Sequence, residues 1–404
     1  MSRKWVEEES RHWVERGIIT EEQRRQIVEL YPYKRSISER LPIFGALLIG
    51  AGILTFVASN WSAIPQLFRL LLIIITMSGF YGFGYRNEKR GAKVLGISLL
   101  ALGVITFGAG IFLTGQMFHL VAYDARAFII WSLPAIILVW LYRGRLLYFL
   151  VLAILNAGQL YSAISFQQFS WLLLVLLLAG AGGYALQNRQ RIIFTTLTPS
   201  ILLHGLLYLI VENQAVGWLV LIASILYTML DWLSDRPARI AGQLGALISA
   251  FFLNVFFIFF LGEMGNEKVP LAIVFFILFA GAFVLSYLGK RRHGEALTLV
   301  EWTVFLPFFY WGAGGDVMYL LILFVFSGYL LWIGYREDWS NKVNAGTLLF
   351  LFSTFIGYIQ VAWDFLPKSL FFLVGGLLLF ALNAFLQRQR RKLLHDEDKG
   401  GGQV

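Results

Sequence analysis

From residue 41 onward the chain alternates between long apolar blocks and short turns, and that alternation leaves few folds open. Fourteen blocks can be marked, at 41–59, 67–85, 94–114, 127–142, 146–164, 171–186, 192–211, 217–233, 240–261, 271–288, 297–312, 318–335, 343–363 and 369–386. A helix crosses a hydrocarbon core with about 20 apolar residues. Soluble chains carry roughly 25% charged residues; this one carries 14%, with 58% hydrophobic residues and a mean hydropathy of +0.70. The expected fold is all-α: a polytopic helical membrane protein of about fourteen transmembrane helices.

The turns carry the charge that orients such a bundle. With the N-terminus placed inside and sides alternating, the inner segments hold 29 of the 33 Lys and Arg residues, and only Arg69, Arg126, Lys268 and Lys368 fall outside. Orientation follows Lys and Arg rather than net charge, so both termini are expected to be cytoplasmic. One missed or invented span would move every later basic turn to the wrong side. The net charge of +9 is thereby explained by the inner loops, and no nucleic-acid partner is expected. With no cysteine and five scattered histidines, neither a metal site nor a cofactor is expected.

Residues 1–40 read as a separate cytoplasmic helical hairpin. Trp5, Trp13 and Val14 are helically spaced, Gly17 suits a C-terminal cap, and Thr20 with Gln23 fits a capping box opening a second helix. No cleavable leader is expected, because this stretch lacks an apolar core. Residues 41–142 form a first four-span unit, 143–387 hold ten further spans, and 388–404 make a cytoplasmic tail, largely disordered.

Polar residues gather at one end of the first four spans. Asn60 and Trp61 end the first, Arg69 opens the second, and Gln116, His119, Asp124 and Arg126 bridge the third and fourth. All fall on the outer side by the alternation, which makes them a candidate ligand-binding cluster. Arg69 breaks the charge rule and is expected to pair with Asp124 or lie near Gln116 and His119, since an unpaired charge in hydrocarbon is costly. The bland alternative is that Trp61 is an interfacial residue and the others cap helix ends. A partial echo of "GAGILTFVASNW" in "GAGIFLTGQMFH" raises the idea of an internal repeat, but such matches are cheap in glycine-rich spans.

The stretch from about 5 to 145 resembles the bacterial membrane-protein family called domain of unknown function 2157. The likeness rests on the "W…GIIT.EQ" hairpin, Asn60-Trp61…Ile64-Pro65, Arg69, Gly115-Gln116…His119-Leu120, Asp124 and a fourth span containing Trp131. Met117-Phe118 stands where the family favours Ile-Tyr, and Arg69 where it often has Lys. The resemblance implies a multi-pass protein of the bacterial inner membrane and brings no established activity.

Elsewhere the spans hold few polar groups. Glu301 lies about 6 Å into the eleventh, at roughly 1.5 Å per residue, within reach of the interface or the "GKRRH" turn. An acid there is a candidate functional residue. The seventh span carries Thr195, Thr196, Thr198, Ser200 and His204 around Pro199, which marks either a cavity or a kinked backbone satisfied by hydroxyls. Ala241, Gly245 and Ser249 form a small-residue stripe that argues for close helix packing. Paired intramembrane carboxylates, a His-Glu-x-x-His, a Gly-x-Ser-x-Gly and a phosphate loop are absent from the sequence, so no catalytic residue is assigned and an enzyme is the least favoured reading. A transporter- or flippase-like protein for a lipid or small solute is favoured. The alternative is a sensor or accessory protein whose hairpin meets a cytoplasmic protein partner.

Overall fold

A computed structural model describes residues 3–29, 65–260, 272–295, 299–311, 314–336 and 340–362, with isolated positions at 45, 48, 49, 51, 52, 55, 370, 373–377 and 380. Every regular element among them is helical. The chain divides into two compact units, Met1–Val151 and Leu152–Val404. Most of the first and last expected spans, Asn60, Trp61 and the tail from 388 lie outside the described residues.

The first unit opens with α1 (Arg3–Glu15) and α2 (Glu21–Glu29). Gly17 takes φ +71 at the end of α1, where the Gly17 N–H bonds Val14 O and the Ile18 N–H bonds Trp13 O. That is a Schellman cap, which needs a left-handed residue and so favours glycine. The capping box is also present: the Thr20 N–H donates to Gln23 Oε1 at 2.9 Å and the Gln23 N–H to Thr20 Oγ1 at 3.3 Å. Beside it, a hydrogen bond from Arg24 holds the Glu21 carboxyl below its usual 4.5.

Three helices then form the body of this unit: α3 (Gln66–Lys89), α4 (Lys93–Met117) and α5 (Arg126–Tyr142). They pack by letting backbones come close. A methyl group at Gly96 would lie 2.7 Å from Glu88 N, and one at Gly103 2.7 Å from the Tyr81 ring. With Gly110 against Ile73, these glycines recur every seven residues and line the face that α3 covers. Gly108 faces α5 instead, receiving Trp131, whose ring nitrogen donates to Val104 O at 2.8 Å. Gly108 and Gly110 in the "GAGI" stretch therefore have packing partners of their own.

In the second unit, α6 (Arg145–Phe166) carries the boundary and is followed by α7 (Trp171–Asn188), α8 (Arg191–Val211), α9 (Trp218–Asp231), α10 (Arg236–Phe260) and α11 (Ala272–Arg292). A short α12 (Leu299–Thr303), a 3-10 turn at Phe308–Trp311, α13 (Gly315–Arg336) and α14 (Ser340–Ala362) complete it. α7 widens into a π-helical stretch at Leu176–Gly182. Nine described helices are long and apolar enough to cross a membrane, and two more, Arg126–Tyr142 and Trp218–Asp231, are apolar but shorter. Together these correspond to eleven of the expected blocks.

The block at 297–312 differs from expectation. It is not one helix but α12, an unwound stretch and the 3-10 turn. Pro307 is the cause: it has no N–H, clashes with a preceding helical turn and disfavours the helical region at Leu306. Irregular backbone at membrane depth is tolerated only where protein buries it, and Trp302, Val304 and Phe305 are all buried. Neighbours satisfy the freed groups. Asn254 Nδ2 donates to Val304 O at 3.1 Å, and the Phe309 N–H donates to the Tyr319 hydroxyl at 3.1 Å.

The broken segment runs back along α11. Glu301 meets Lys290 near the end of α11, while Phe309 meets Phe275 near its start and Phe257 near the end of α10.

Candidate functional site

Several of the residues expected at the outer end of the first unit sit in helix-end hydrogen bonding. His119 adopts φ 53 and occupies the left-handed position of a Schellman cap on α4: its N–H bonds Gln116 O, and the Leu120 N–H bonds Gly115 O. Asn213 does the same after α8. Gln66 Nε2 donates to Met117 O at 3.2 Å, which sets the start of α3, and with it Arg69, beside the end of α4. Asp124 accepts from the Arg126 N–H at 2.9 Å and pairs with the Arg126 guanidinium at 2.8 Å. The structure thus joins Asp124 to Arg126 and sets Gln116 and His119 in one cap. Gln116, His119 and Arg126 are exposed and Asp124 and Arg69 half-buried.

His204 is fully buried in α8. Its Nδ1 lies 3.0 Å from Ser200 O, a carbonyl that can only accept, and Nε2 has no hydrogen-bond partner among the described residues. The hydroxyls around Pro199 return to their own helix: Thr196 to Ile192 O, Thr198 to Phe194 O and Ser200 to Thr196 O. Thr195 also donates to Ala241 O at 3.0 Å, and Gly245 packs on Thr195 O, the carbonyl that Pro199 leaves without a helical donor. These bonds occupy the hydroxyls around Pro199, and the small-residue stripe of α10 packs against this helix.

The strongest concentration of chemistry surrounds Glu301. α9 supplies Tyr227 and Asp231, one helical turn apart on one face. α10 supplies Gln243, α11 supplies Ser286 and Lys290, also one turn apart, and α12 supplies Glu301. Lys290 Nζ donates to the Tyr227 hydroxyl at 2.8 Å and to Glu301 Oε2 at 3.1 Å, and lies 3.9 Å from Asp231 Oδ1. Tyr227 donates in turn to Glu301 Oε2. Asp231 accepts from Gln243 Nε2 on one oxygen and from the Ser286 hydroxyl on the other, each at 2.5 Å. The side chains of Asp231 and Lys290 are 0% and 7% exposed, and that of Glu301 is 24% exposed. Gly289 makes room for this, since a methyl there would lie 2.9 Å from Asp231 Cβ.

A second pair adjoins it. Arg239, 2% exposed, donates to Leu233 O at 2.9 Å and to Glu295 Oε1 at 2.6 Å, with Arg236 at 3.3 Å from the same oxygen. These contacts tie the turn between α9 and α10 to the turn after α11. Both turns are basic, so the network lies at the Lys/Arg-rich end of the second unit.

Sequence reasoning found Glu301 and its reach toward the "GKRRH" turn, which is where Lys290 resides. It missed Asp231, Lys290 and Arg239. A signal was available for the first: Asp231 falls inside the block at 217–233, an acid within an apolar run.

Residues 11–148 match the family model described as a predicted membrane protein, DUF2157, in agreement with the resemblance read from the residues. No curated protein and no solved structure matches the chain. The matched stretch ends before α9, so the charge network lies outside it.

Proposed function

We propose that this chain is a transporter- or flippase-like protein of the bacterial inner membrane, with about fourteen spans and both termini cytoplasmic, that moves a lipid or small solute. The observation that carries the reading is a broken helix joined to buried charges. Discontinuous helices line substrate and ion sites in many transporters, and charges within a bundle are expensive enough to be kept for function. Glu301 on α12 combines both features. Arg69, Gln116, His119, Asp124 and Arg126, with Asn60 and Trp61, serve in this reading as a polar vestibule on the outer side expected from the Lys/Arg distribution.

Purified protein in vesicles carrying a fluorescent short-chain phospholipid tests the reading. Transport predicts faster exchange between leaflets, or flux of a trapped solute, than in protein-free vesicles, and a sharp loss in Glu301→Gln. Vesicles that behave like protein-free controls for both cargo classes would remove it. Reporter fusions at the C-terminus and at 212–217 should read opposite sides.

A second reading, as a sensor or accessory protein, is favoured by the hairpin, which carries its own caps at Gly17 and Thr20. It predicts that deleting residues 1–29 abolishes function while leaving any vesicle activity intact.

A further inference from the structure

Among the described residues, the buried charges around Asp231 do not sum to zero. Two carboxylates, Asp231 and Glu301, face one ammonium, Lys290. Arg239 is matched by Glu295, and Arg236, which would supply a further positive charge, is 73% exposed and screened by solvent. The other groups set against the cluster among the described residues are Tyr227 from α9, Gln243 from α10, Ser286 from α11 and Tyr329 from α13, none of them a carboxylate or a cation. His293 follows Lys290 by three residues, with its Nε2 buried and unbonded among the described residues. An excess negative charge in such a place costs several kcal/mol unless something neutralises it.

A metal cation fits poorly. Sodium-like or calcium-like ions need several free oxygen ligands, whereas both Asp231 oxygens and Glu301 Oε2 already face hydrogen-bond donors. A proton fits well. Ser286 and Tyr227 are hydroxyls, which donate or accept as needed, so their bonds to Asp231 and Glu301 persist whether or not the carboxyl is protonated. The ammonium sits nearer Glu301, at 3.1 Å, than Asp231, at 3.9 Å. Glu301 is the exposed member and Asp231 the sealed one.

We propose that Asp231 is an exchangeable proton-binding site, loaded through Glu301 and Lys290 from the basic-loop side, and that this proton is the coupling ion of the transport activity proposed above, on which that last clause rests. In the loading step the Glu301 carboxylate first takes a proton from a hydronium ion in solvent, leaving water. A Lys290 N–H then breaks as an O–H forms on Asp231, and the Glu301 carboxylic acid gives its proton to the Lys290 amine. The net change is one proton moved from solvent to Asp231, with Glu301 again a carboxylate and Lys290 again an ammonium. Tyr227, bonded to both Lys290 and Glu301, holds the pair in line.

Infrared titration of the full-length protein in bilayers, between about pH 5 and about pH 9, tests the site without any cargo. The wild type should show a protonated-carboxyl carbonyl band that disappears with rising pH and corresponds to one proton per chain. Asp231→Asn should abolish it and Glu295→Gln should keep it. Ser286→Ala, which leaves every charge in place, should keep the band but change its midpoint, and it serves if Asp231→Asn does not fold. A wild type without the band, a band surviving in Asp231→Asn, or one removed by sodium or potassium at constant pH overturns the proposal. Vesicles with a trapped pH dye and the fluorescent phospholipid separate the two claims: a band that behaves as expected with neither proton nor lipid movement leaves the proton site standing and removes the transport reading.

Discussion

The two units solve the same problem, holding apolar helices together without water to drive them, by opposite means. The first unit uses shape. Its close contacts include glycine to backbone and glycine to aromatic ring, and the described charged residues of α3, α4 and α5 lie near helix ends, where Arg126 and Asp124 meet in the open. The second unit uses shape and charge together. It seals Asp231, Lys290 and Arg239 within the bundle and wires them to a helix that has come apart. A close-packed glycine face has one good arrangement. A charge network with hydroxyl partners has more than one proton arrangement on the same backbone, and that difference points to the second unit as the part that changes state.

The comparison breaks most readily at its charged end. Lys290→Met should destabilise the protein by about 3–5 kcal/mol, since it strands the buried Asp231 beside the partly exposed Glu301, whereas Asp124→Ala should cost only about 0.2–1 kcal/mol as an exposed pair. Chemical unfolding in detergent can rank them, and equal effects would erase the distinction between the units. Next is the shape-based unit. Gly108→Ala places a methyl group 2.0 Å from the Trp131 ring, and overpacking of this kind costs about 1–3 kcal/mol. Adding Trp131→Phe should recover part of the loss, and strictly additive effects would show that the ring does not seat on that glycine.

Tyr319→Phe should cost about 1.5 kcal/mol, within the range for leaving one buried backbone donor unpaired, and should raise hydrogen exchange at Phe309. An unchanged exchange rate would mean that the unwound stretch does not depend on that hydroxyl. The smallest effects belong to the hairpin. Thr20→Ala should weaken the start of α2 by about 1 kcal/mol, seen as faster exchange at the Gln23 amide. The Glu21 carboxyl, held low by Arg24, contributes stability that is present above its unfolded value of 4.5 and is lost as pH falls through the lower folded value. In Arg24→Ala that loss should move to higher pH, as read by NMR titration of Glu21.

Helix positions and caps were open to reading because they depend on local chemistry. The Gly17 stop and the Thr20–Gln23 box require only a few neighbouring residues, and eleven apolar blocks emerged as helices close to their marked ends. The break at Pro307 was also written locally, but hydropathy is blind to a missing N–H and scored 297–312 as one span. The charge network was hidden for another reason. Lys290 and Arg239 sit where basic residues are expected to face the aqueous side, and nothing along the chain shows that Asp231 and Glu295 turn them inward. His119 and Asp124 show a limit of another kind, because a polar residue at a helix end reads alike along the chain whether it binds a ligand or closes a cap.

The segment from Glu301 to Phe309 is, finally, a tether folded on itself. It is anchored at one end by Lys290 and Tyr227 and at the other by the rings of Phe257 and Phe275. Between the anchorages its backbone closes short turns, the Phe305 N–H bonding Trp302 O and the Leu306 N–H bonding Thr303 O. Any motion that parts the two anchorages must first open those turns or undo one of the anchorages. Because the charged anchorage also carries the proton in the proposed loading step, loading and unloading Asp231 would set how tightly the tether is held.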